Sequence, residues 1–105
     1  MPLTHDFKET IRARAQSDPK FRKALLREAV ESYLNGDLET GKAVLRNYVN
    51  ATVGFQVLEQ QTDIPAKSLM RMLGPKGSPS AANLASILNA LQTAEGVHFQ
   101  LSLRP

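Results

Sequence analysis

Lys67, Met70 and Arg71, with Pro65, Ala66 and Ser68 beside them, form a group suited to reading a nucleic acid. Arg grips guanine through O6 and N7, Lys contacts base or phosphate, and Met can touch a thymine methyl. Lys67 and Arg71 lie four residues apart, so on a helix they share a face and reach one groove. Pro65 at the head of that helix leaves neighbouring N–H groups free, and a helix N-terminus favours phosphate through those donors and its dipole. Lys76 adds a cation in the loop that follows. The candidate DNA contacts are therefore Pro65, Ala66, Lys67, Ser68, Met70, Arg71 and Lys76.

The elements that must position this group lie between Gly54 and Leu73, which reads as a helix over 55–61, a turn over 62–64 and a second helix over 65–73. Leu58, Ile64, Leu69 and Met72, with Leu73 beside them, are apolar where a helix-turn-helix needs core contacts. With those side chains inward, Ala66, Lys67, Met70 and Arg71 are expected on the outer face of the second helix, with Ser68 toward its edge. That motif usually has Ala or Gly where Glu59 stands and Gly where Asp63 stands. Glu59 is therefore expected to swing its carboxylate outward or to splay the helices. Asp63 is easier, because Asp tolerates the left-handed conformation and forms local turn hydrogen bonds. Neither carboxylate favours a nearby phosphate.

Around this unit the sequence predicts further helices. One over 6–16 has a thin apolar edge of Phe7 and Ile11. Ser17-Asp18-Pro19 is a strong start signal for the next, since Asp caps free N–H groups and Pro is tolerated at the first helical position. That helix runs to about residue 35, with Phe21, Leu25, Leu26, Ala29, Val30, Tyr33 and Leu34 on one face. Asn35-Gly36 ends it and Asp37 caps a third over 38–53, so the two should pack as a hairpin. Its inner face holds Leu38, Gly41, Val44, Leu45, Tyr48, Val49 and Thr52. Ser78-Pro79 repeats the start signal before a periodic helix carrying Leu84, Ile87, Leu88 and Leu91, which ends near residue 92.

The period changes after Gly96. Val97, Phe99, Leu101 and Leu103 alternate with His98, Gln100, Ser102 and Arg104, the signature of a strand. A lone strand has no ladder partner within the chain, and the simplest remedy is the same strand of a second copy, antiparallel about a two-fold axis. A structureless tail is the alternative. The expected architecture is one domain in the all-α class, a bundle of five to six helices with a dimerising strand. It divides into an N-terminal arm (1–17), a helical hairpin (18–53), the helix-turn-helix with its following helix (54–92) and the strand (96–105).

Composition narrows the function classes. A length of 105 residues with 42% hydrophobic content supports one small core. There is no cysteine, which excludes thiolate catalysis, zinc-thiolate sites and disulfides. His5 and His98 have no metal-ligand or triad spacing around them, so neither an enzyme nor a metal or cofactor is expected. No stretch approaches the roughly 18 apolar residues of a membrane span, and the N-terminal Met-Pro-Leu-Thr-His-Asp does not read as a signal peptide, so a soluble, cytoplasmic protein is expected. The net charge is +3, distributed as two basic zones, 8–27 and 67–76, flanking an acidic middle. Solvated helix surface is the plain explanation of the first zone.

Further matches are Asp18-Pro19-Lys20-Phe21, Tyr33-Leu34-Asn35-Gly36-Asp37, Leu45-Arg46-Asn47-Tyr48-Val49, Gly77-Ser78-Pro79 and Leu84-Ala85-Ser86-Ile87-Leu88-Asn89-Ala90-Leu91. In this order, and with 54–73 among them, they resemble the probable addiction-module antidote proteins, small antitoxins with a Cro/CI-type (XRE-like) helix-turn-helix. The family typically has Leu-Ala and Thr-Gly at Leu58-Glu59 and Thr62-Asp63, and often an aromatic at Met70. The resemblance implies a lambda-repressor-like fold and a homodimer that binds double-stranded DNA at its own promoter and neutralises a cognate toxin protein. A stand-alone transcriptional regulator, or an interaction module of the same fold without DNA binding, are the alternatives.

Overall fold

Polar side chains at helix ends decide where the elements begin. The computed structural model describes residues 5–105, with side chains from residue 9 onward, so the N-terminal Met-Pro-Leu-Thr and the expected Phe7 contact lie outside the described part. Helix α1 (His5–Ser17) is followed by α2 (Pro19–Leu34), for which Asp18 accepts from the backbone N–H groups of Lys20 and Phe21. Asp37 caps α3 (Leu38–Ala51) by accepting from Thr40 N–H at 3.2 Å. Gly54, at φ +80°, allows the chain to turn directly into α4 (Gly54–Thr62), and α5 (Ala66–Met72) and α6 (Ala81–Glu95) complete the order.

The cap of α6 is Ser80, not Ser78: its side chain accepts from Asn83 N–H at 3.1 Å. The reason is tertiary. Lys42 Nζ holds the Gly77 carbonyl at 2.7 Å, and Gly77 lies so close to the end of α5 that a Cβ would overlap the Arg71 carbonyl. The chain must leave that contact before a helix can start.

The α2–α3 hairpin forms the most extensive helix pair, with Leu26, Ala29, Leu45 and Val49 almost fully buried in it. Gly41 lets the helices approach, because a Cβ there would come within 2.9 Å of the Tyr33 ring. Burial pushes the Tyr33 phenol above its usual range, and its hydroxyl has no partner among the described residues. Against this hairpin pack Leu58 from α4, Leu69 from α5, and Ile87 and Leu91 from α6, all fully buried. Two expected core residues, Leu34 and Leu38, lie outside, at 63% and 50% exposure, as part of a hairpin tip over 34–40 that is exposed throughout.

A buried polar junction joins four helices. The Glu95 side chain is 5% exposed, receives Arg22 Nε at 3.1 Å, and accepts a hydrogen bond from the Tyr48 hydroxyl. Arg22 also donates through Nη1 to the Ala15 carbonyl at 2.6 Å, closing the end of α1. Burial and then the Glu95 carboxylate push the Tyr48 phenol well above its usual range, so it remains a neutral donor.

The expected strand is not formed. Among the described residues there are six helices and no strand, and the chain after Gly96 has no ladder to join. The period-two pattern survives as alternating burial instead. Val97 and Phe99 pack on the core, His98 and Gln100 are exposed, and Phe99 N–H donates to the Gln92 side-chain oxygen at 2.8 Å. Leu101 and Leu103 are exposed, at 75% and 97%.

Replacing Glu95 with Ala leaves a largely buried guanidinium without its counter-ion, and is expected to cost about 2–4 kcal/mol. Urea denaturation followed by circular dichroism measures it; a loss within experimental error would remove the junction from the account of stability.

Candidate nucleic-acid interface

The seven residues of α5 form an isolated helix far too short to hold itself, so its environment must fix both ends. At the approach from α4, Asp63 adopts φ +61° and ψ +19°, and its N–H donates to the Glu59 carbonyl at 2.8 Å. It is the one non-glycine residue with positive φ among the described residues, as expected from the tolerance of Asp for this conformation. Thr62 secures the same turn, donating to the Leu58 carbonyl and accepting from Ile64 N–H.

Glu59 departs from the expected outward swing. Its carboxylate turns across to the next helix instead: Oε1 accepts from Ala66 N–H at 2.6 Å, across the turn and at the head of α5. The first helical N–H group, expected to be free for phosphate, is thus already occupied. At the other end, Arg46 Nη1 donates to the Leu73 carbonyl at 3.0 Å, while Lys42, 5% exposed and paired with Glu39 at 3.1 Å, holds Gly77. One cation of α3, Arg46, therefore closes the negative end of α5, and a second, Lys42, fixes the loop that follows it.

With both ends held, the faces of α5 are defined. Leu69 and Leu73 are fully buried and Met72 is half-buried. Lys67, Met70 and Arg71 are exposed, Met70 by 47%, and Ser68 lies at the edge. Pro65 and Lys76 are also exposed. Ala66 departs from the expected outer face: it is 7% exposed and belongs to the core, because the first turn of α5 is drawn against α4 by the Glu59 bond. Lys67, Arg71 and Lys76 make no salt bridge among the described residues. In the first basic zone the arginines Arg14, Arg22 and Arg27 pair with Asp18, Glu95 and Glu31, and Arg14 also stacks over the Phe21 ring, whereas Arg12, Lys20 and Lys23 make no salt bridge among the described residues.

Lys42, Arg46 and Glu59 were not legible as supports of this face. The available signal was Pro65 itself, which has no acceptor for the cap position it occupies and so requires one from elsewhere. Compared with known proteins, the chain matches no family model, no curated protein and no solved structure.

Replacing Asp63 with Gly should relieve the left-handed strain and raise stability by about 0.5–1 kcal/mol, whereas Asp63→Ala should lower it by about 1 kcal/mol. Thermal denaturation of the two variants checks this; equal midpoints would show that the turn carries no strain.

Proposed function

We propose that the protein is a sequence-specific DNA-binding protein in which α4, the turn at Asp63 and α5 act as a helix-turn-helix. The sidedness of α5 carries the reading. Leu69 and Leu73 anchor the helix in the core, while Lys67, Met70 and Arg71 stand exposed on one short rigid element, the cations free of carboxylate partners among the described residues. Such a surface suits the major groove, with Arg71 on a guanine, Lys67 on base or phosphate and Met70 against a thymine methyl. Lys76, Ser68 and Pro65 border it. Of the two residues that speak most against DNA binding, Glu59 has its carboxylate drawn to the head of α5, while Asp63 serves the turn through its backbone.

The segment 54–73 is one of the ordered stretches that together carry the resemblance to antitoxins, and that resemblance extends the proposal to an antitoxin and autorepressor that acts in the cytoplasm on its own promoter and neutralises a cognate toxin. No described helix is long and apolar enough to cross a membrane. A second copy completes the DNA reader. Leu101 and Leu103 are exposed beyond a segment already docked through Val97, Phe99 and Gln92, so residues 101–104 of two copies can pair antiparallel. A two-fold dimer would set two α5 helices on half-sites about 34 Å apart.

Fluorescence titration against the DNA upstream of the gene, at several salt concentrations, should give a specific complex with a steep salt slope. Arg71→Ala should weaken it by roughly 1–3 kcal/mol and relax specificity at one base pair. An unchanged isotherm for that variant would remove Arg71 as a reader, and the absence of any specific complex would favour the protein-interaction alternative. Removing residues 100–105 should convert a dimer to a monomer by light scattering while helicity is retained; a persistent dimer would rule out pairing through this segment.

A further inference from the structure

We infer that Glu59 is a positioning residue of the DNA-reading helix: its carboxylate holds the head of α5 and fixes the helix, while its charge limits the affinity of that helix for DNA. The affinity half of this inference rests on the helix-turn-helix reading; the positioning half does not.

Three observations carry it. Pro65, which stands at the cap position, offers no side-chain acceptor, so the donors at the start of α5 need one from another element. The turn is pinned from both sides, by Asp63 N–H on the Glu59 carbonyl and Ile64 N–H on the Thr62 hydroxyl, which aims Ala66 N–H back at α4. Glu59 Oε1 then receives that N–H at 2.6 Å, in the short range of a charge-assisted bond. A negative charge at a helix N-terminus is favourable in the free protein. In a helix that enters the major groove head first, the same charge faces the phosphate backbones and opposes binding. Glu59 thus makes α5 rigid before DNA arrives and keeps the complex weaker than the exposed cations alone would make it.

Glu59→Gln keeps an oxygen acceptor for Ala66 N–H and removes the charge, whereas Glu59→Ala removes both. With operator DNA at low salt, Glu59→Gln should bind roughly three- to tenfold more tightly than the natural sequence, the gap closing as salt rises, and Glu59→Ala should bind more weakly than Glu59→Gln. In the free protein, a proton–nitrogen NMR spectrum should place the Ala66 amide proton downfield and protected from exchange, a signature lost in Glu59→Ala and restored in part by Glu59→Gln. No gain for Glu59→Gln would overturn the affinity half, and equal affinity of the Gln and Ala variants would overturn the claim that the positioning bond serves DNA binding. An Ala66 amide unaffected by Glu59→Ala would overturn the positioning half. If the natural sequence forms no specific DNA complex, the DNA reading fails and the affinity half with it, while the Ala66 amide still decides the positioning half.

Discussion

The buried carboxylate of Glu95 is the interaction on which the arrangement of the helices most depends. It sits in the last turn of α6, where the helix dipole is unfavourable to negative charge, and it is almost wholly removed from water. Such a group is tolerable only with partners, and Arg22 and Tyr48 supply them from α2 and α3. Arg22 in turn closes the end of α1 through the Ala15 carbonyl. One charge thereby links α1, α2, α3 and α6. Against that frame the apolar faces of α4 and α5 pack, with Phe55, Leu58, Leu69 and Leu73 in the same core as Leu26, Leu45 and Ile87.

A similar use of charge recurs at the ends of α5. Glu59 satisfies its first N–H, and Arg46 and Lys42 satisfy the carbonyls at and beyond its last turn. A helix of seven residues is too short to persist through its own hydrogen bonds, so these contacts and the burial of Leu69 and Leu73 make it rigid. The structure thus separates two populations of charged groups that look alike in the sequence. Lys42, Arg46 and Glu59 serve the backbone of this protein, whereas Lys67, Arg71 and Lys76 have their cationic groups available to a ligand.

Much of the helical framework was legible before any coordinates. Asp18-Pro19, Asp37 and Asn35-Gly36 act within a few residues of themselves, so the two helix starts and the helix end they signal fall where the spacing predicts. Errors arose where a distant contact overrode the local signal. Ser78-Pro79 reads as a helix start, yet Lys42 holds Gly77 against the end of α5 and moves the cap to Ser80. Leu34 and Leu38 belong to periodic faces, but periodicity says which residues share a side and not how far the covering helices reach. Residues 97–105 carry a strand pattern, while strand structure needs a partner that a single chain does not provide.

The number and order of the helices, most of their caps and the left-handed turn at Asp63 follow from residue types alone, because each depends on neighbours within one or two turns, and the apolar spacing of α5 already puts Lys67, Met70 and Arg71 on one outer face. Only the tertiary structure decided that Ala66 is buried, that Glu59 turns to the head of α5 rather than to solvent, and that Lys42, Arg46 and Glu95 are structural charges. Those outcomes turn on which helix ends meet across space. Hydrogen bonding to an exposed backbone end is short-ranged and directional, so its partner is set by three-dimensional proximity that residue spacing does not encode.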